Sequence, residues 1–139
     1  MTEPSPTPSL PVPRILHAAL AGGALIVVGV LAVLREAAPP TGAVPASVLR
    51  YVLLGMGVVM VLAFRAVRGR VAPPTSPGNE GEWWRANLGF ALVAWALAES
   101  LTLMAGIFFY LTGDPVALGV AAVGLALLWV ARPGRLIAG

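Results

Sequence analysis

The chain has no cysteine, no lysine and a single histidine, and only 11% of its 139 residues are charged. Without cysteine there is neither a disulfide framework nor a thiolate metal site. One His and six carboxylates leave too few ligands to expect a metal cluster. A Gly-rich phosphate loop, an HExxH pair and a Ser/His/Asp set are also missing, so neither an enzyme nor a bound cofactor is expected. A soluble domain carries about 25% charged residues. What this chain has instead is 58% hydrophobic residues, more than a small soluble core can hide. A bilayer removes that difficulty by acting as the apolar solvent. The nine basic residues, all Arg, give a net charge of +3 and fall at segment ends rather than in one block. That placement is topology information, and a nucleic-acid partner is not expected.

The fold class expected is all-α, a membrane-embedded bundle of four transmembrane helices at about 15–34, 48–65, 84–111 and 116–131 within a domain spanning 14–132. Residues 1–13 are Pro-rich and read as an extended, solvated tail. Ile15 to Leu34, bracketed by Arg14 and Arg35, is long enough to cross hydrocarbon about 30 Å thick. A cleaved signal peptide is the rival reading, but the run is longer than a signal core and ends in Arg35-Glu36. The second span is the shortest between charges, and Arg50 and Arg65 must snorkel to extend it. Residues 66–82 read as a flexible connection rich in Pro, Gly and Ser after a basic start. Thr112-Gly113-Asp114-Pro115 is a tight turn by composition, which makes the third and fourth spans an antiparallel hairpin. Residues 133–139 are a short tail.

Four crossings put Arg14, Arg65, Arg68, Arg70, Arg85, Arg132 and Arg135 on one side, and Arg35 and Arg50 on the other. Seven arginines against two predict both termini in the cytoplasm, the location expected being a bacterial inner membrane. Trp83, Trp84 and Trp129 then mark the inner interface, and Tyr51 and Tyr110 the outer one. Small residues offer grooves for close helix approach: Ala94, Ala98, Thr102 and Gly106 on the third span, Ala18/Gly22 and Ala19/Gly23 on the first, Gly55 and Gly57 on the second, Ala117/Ala121 and Ala122/Ala126 on the fourth.

Glu99 is the most informative polar residue. It lies 14 positions from Arg85 and 13 from Thr112, near the middle of the third span. An ionised carboxylate at that depth is costly unless it is protonated, hydrogen-bonded or facing water. Trp95 and Thr102 lie four before and three after it, on one helix face, with donors to offer it. Glu99, Trp95 and Thr102 are therefore the candidate ion-binding or buried polar site, and a structural hydrogen-bonding role for the acid stands equally beside it. His17 lies one turn past Arg14, and Asn87 sits at a comparable depth on the third span. The expected interhelical pair is His17–Asn87, with an ordinary interfacial role for His17 the plainer reading.

The stretch Ala96-Leu97-Ala98-Glu99-Ser100-Leu101, followed by Ala105-Gly106-Ile107, resembles the carboxylate helix of the ATP synthase proteolipid (c) subunits. That resemblance, about a dozen residues long, implies an ion-binding role for Glu99. In size and helix number the chain is also similar to the small multidrug resistance transporters, whose essential Glu lies in the first helix, where this chain has His17. The overall layout resembles the small four-helix integral membrane proteins common in bacteria, which implies a location rather than an activity. Two functions follow as expectations. The first is a non-enzymatic structural or accessory component of the membrane, with the lipid bilayer, other membrane subunits or its own copies as partners. The second is proton- or cation-coupled transport through Glu99.

Overall fold

The computed structural model describes residues 11–40, 45–71 and 80–138. Residues 1–10 of the expected tail, residues 41–44 between the first two spans, residues 72–79 of the expected connection and Gly139 lie outside the described residues. The described chain is helical throughout, as α1 (Pro11–Ala37), α2 (Ala46–Arg68), α3 (Glu80–Thr112), α4 (Pro115–Val130) and α5 (Pro133–Ala138).

Three helices, α1, α2 and α3, are long and apolar enough to cross a membrane. The fourth, α4, is apolar but has only 16 residues, about 24 Å at helical rise. Each long helix exceeds the expected bounds. α1 starts at Pro11 rather than Ile15, because proline is tolerated in a first turn, where the backbone N–H has no helical partner anyway. α3 starts at Glu80 rather than Trp84, with Glu80 and Glu82 in its first turn, where carboxylates complement the helix dipole. The expected tail at 133–139 is revised: Pro133–Ala138 form α5, and its Leu136 is buried.

The bundle is built around α3. α1, α2 and α4 each pack along it, α4 also touches α1 and α2, and α5 touches α1. At the end where α1 and α3 begin, called the inner end after the expected topology, the core gathers Phe64, Trp83, Trp84, Trp95, Leu128 and Leu136 with small alanines between them. The core at the opposite end, called the outer end in the same sense, is smaller, made of Leu53, Ala105, Ala117 and Ala121. Trp83 and Trp84 are thus core residues in edge-to-face contact, not interfacial anchors. Trp129 alone of the four tryptophans is exposed, and Arg132 stacks 4.7 Å over its ring. Trp84 Nε1 is buried with no acceptor among the described residues.

The small-residue grooves are used unequally. Ala94, Ala98, Thr102 and Gly106 are all buried, as are Gly57, Ala117 and Ala121. Gly22, Gly23 and Gly55 face open space instead. α1 approaches α3 through Ala24 and Val28, and a Cβ on Gly106 would come within 2.9 Å of Val28. The tightest approach is at Gly124 of α4, where a Cβ would sit 2.9 Å from both Ala98 O and Thr102 N.

Large aliphatic side chains cover the outside of every long helix. Ile15, Leu25, Ile26 and Val33 on α1, Val58, Val59 and Leu62 on α2, and Val93 and Ile107 on α3 are all exposed. A soluble protein rarely shows contiguous apolar surface on this scale.

Candidate functional site

Helix ends leave carbonyls without intrahelical partners, and the polar side chains of this chain are spent largely on them. At the inner end, α4 stops at Val130 before Arg132-Pro133. Trp95 Nε1 donates to Ala131 O at 2.7 Å, and His17 Nε2 donates to Leu128 O at 2.8 Å. A carbonyl can only accept, so the His17 proton in this bond sits on Nε2. The two rings meet edge to face, 5.3 Å between centroids. One cluster thereby joins α1, α3 and α4.

At the outer end, the turn between α3 and α4 is held from two sides. Gly113 adopts φ 68°, left-handed backbone that favours glycine, and its N–H donates to Phe109 O at 2.7 Å. Arg35 of α1 donates to Tyr110 O and Leu111 O, carbonyls in the last turn of α3. Asp114 caps α4 by accepting from Val116 N–H at 3.0 Å, ahead of Pro115. Arg50 of α2 pairs with the same carboxylate at 2.6 Å. Both outer arginines, read from sequence as boundary markers, are therefore also clasps that tie α1 and α2 to the hairpin.

The Arg50 guanidinium, helped by the Val116 N–H, holds the Asp114 carboxyl below its usual range. A carboxylate depressed on folding contributes stability above its unfolded pKa, about 3.9, and loses it as pH falls through the folded value. Wild type is expected to lose thermal stability below about pH 4, and Asp114→Asn to be less stable at neutral pH with a flatter acid limb. Melting curves across that range check both.

The predicted site residues are distributed differently from the sequence reading. His17 and Trp95 come together, although they were assigned to separate groups. Asn87 donates to Trp83 O in its own helix at 2.9 Å and does not pair with His17. His17 stands beside Trp95, two turns further along α3 than Asn87, an offset of about 12 Å. Glu99 keeps neither expected partner: Trp95 is committed to Ala131 O, and the Thr102 hydroxyl donates to Ala98 O at 2.9 Å. Glu99 is half-buried, with no hydrogen bond or ion pair to any other described residue. Contacts of His17 with Trp95 and of Val28 with Gly106 set the register of α1 on α3. In that register Glu99 is level with Ala21, seven residues beyond Arg14, about 10 Å along the axis.

Among the described residues no group of His, Asp and Glu is arranged to hold a metal ion. Two clefts stand out among the described residues. One is wholly apolar and lies between α2 and α4 over Leu101, with Gly57 at its floor. The other lies at the inner end and is lined in part by Arg65, Arg68 and Arg135. Glu99 lines neither. The inner cleft escaped the sequence reading because its arginines come from segments 67 residues apart. No protein-family model, curated protein or solved structure matches this chain.

Proposed function

We propose that the chain is a multi-pass integral membrane protein that serves as a non-enzymatic structural or accessory component of a bacterial inner membrane. The observation that carries this reading is the continuous apolar exterior of α1, α2 and α3, helices whose length suits a bilayer. In this reading α4 makes the fourth crossing despite its length, with Asp114 and Arg132 at its ends, and both termini lie on the arginine-rich cytoplasmic side. The polar side chains support an architectural role, because His17, Trp95, Arg35 and Asp114 close helix ends and Arg50 pairs with the capping Asp114. The protein is expected to resist alkaline extraction from membranes. In mild detergent, native mass measurement should find it in complexes with its own copies or with other membrane subunits. A strictly monomeric, partnerless species would oppose the accessory role.

The transport reading through Glu99 draws less support. The neighbouring donors are engaged elsewhere, and neither cleft reaches the carboxylate. Vesicles containing wild type or Glu99→Gln are expected to show the same background proton permeability. Flux through wild type that Glu99→Gln abolishes would reverse the preference.

A further inference from the structure

At the inner end, where α2 stops and α5 follows α4, a cleft of about 620 Å³ opens to the surface. Part of its wall is apolar, from Val61 and Phe64 of α2 and Leu127 of α4; Arg65, Arg68 and Arg135 supply the charge. Among the described residues no side-chain hydrogen bond or ion pair engages these three guanidiniums. The ion pair Arg50–Asp114 is at the opposite end of the bundle, and the neighbouring connection 72–79 has no charged residue in its sequence. Glu80 and Glu82 stand in the first turn of α3 at this end, but no carboxylate lines the cleft, and three like charges in one lining favour an anion. Guanidinium forks match phosphate oxygens two at a time. The apolar wall selects further, since a free phosphate or a nucleic acid makes no use of Val61, Phe64 and Leu127.

We propose that this cleft binds an anionic phospholipid, its phosphate held by Arg65, Arg68 and Arg135 and an acyl chain laid along the α2–α4 wall. Basic pockets between helices on the cytoplasmic side are a recurring way to recognise such headgroups. The assignment rests on the membrane reading above and adds a ligand class to it.

The test uses full-length protein in mild detergent with equal amounts of phosphatidylglycerol and phosphatidylcholine, retained lipid being read by native mass spectrometry. Wild type is expected to retain phosphatidylglycerol preferentially. Arg65→Gln/Arg135→Gln should cut that preference by about tenfold or more, while Arg14→Gln, outside the cleft, leaves it unchanged. Arg135→Gln alone gives a smaller loss and serves if the double variant does not fold. Equal retention of the two lipids by wild type, or a preference that survives in the cleft variants, overturns the proposal. Displacement of the lipid by inorganic phosphate at matched ionic strength also overturns it, in favour of a soluble phosphorylated ligand. A protein that needs no detergent fails the membrane reading itself, whereas a detergent-dependent protein without the preference fails this assignment alone.

Discussion

Replacing Gly124 with alanine is expected to loosen α4 from α3 and to lower the stability of the protein, even though alanine is the better helix former. The propensity gain is about 1 kcal/mol. Against it stands a steric cost that no rotamer change relieves, because two of the atoms the new methyl meets are backbone, Ala98 O and Thr102 N at 2.9 Å, and the third is the Thr102 hydroxyl. Overpacking a well-filled site costs about 1–3 kcal/mol where side chains can adjust. Here the helices must separate, so the upper end of that range is expected, for a net loss of about 2 kcal/mol. In hydrocarbon the loss matters more for association, because close packing rather than water exclusion holds helices together. Gly119→Ala on the same helix is the control. A Cβ there meets nothing within 4 Å, and that variant should match or exceed wild type. Thermal melting in one detergent for both variants checks the contrast; equal melting temperatures would mean α4 does not seat on α3 at Gly124.

Trp95 is expected to be the most damaging side chain to truncate. It is fully buried, it contacts His17 and Trp84, and its N–H closes the end of α4. Trp95→Ala removes all three roles and should cost about 3–5 kcal/mol. Trp95→Phe keeps most of the volume but leaves Ala131 O without this donor, for a loss of about 1–2 kcal/mol. His17→Ala removes the bond to Leu128 O and should fall near the Phe variant or below it. That ordering separates a capping role from simple volume filling. If Trp95→Phe were neutral while Trp95→Ala unfolded the chain, the bond to Ala131 O would contribute nothing.

The three long helices and the α3–α4 hairpin were legible because apolar runs bounded by arginine, proline and glycine announce themselves, whereas α5 over Pro133–Ala138 was read as a tail. Seating was less legible. Along α4, Pro115–Val130, no charged or amide side chain marks an outward face, so nothing in the sequence separates Ala117, Ala121, Gly124 and Leu128 from the exposed Ala122 and Ala126. Pairing Ala122 with Ala126 therefore missed Gly124, the closest contact with α3. Axial register was illegible for another reason. Placing His17 and Asn87 at one depth assumes that α1 and α3 begin at one level, yet the first turns of α3 extend past α1, and Trp83 and Trp84 join Leu136 of α5 in one core. His17 therefore meets Trp95 instead of Asn87. The partners of His17 and Trp95 are backbone carbonyls, which no side-chain pattern can flag. The donors of Trp95 and Thr102 were offered to Glu99 because both residues share its side of the helix, while each had a backbone acceptor instead.

The absence of cysteine makes the central claim directly measurable, since each introduced cysteine is the only thiol in the protein. Val27 and Val58 are exposed on the isolated chain. In intact cells and in inverted vesicles, a membrane-impermeant maleimide should leave Val27→Cys and Val58→Cys unlabelled. It should label Ala38→Cys and Ser47→Cys only from outside, and Arg70→Cys and Gly134→Cys only from inside. Labelling of the two valine positions from water, or reaction of Ala38→Cys and Arg70→Cys from the same side, would contradict a bundle that crosses the membrane.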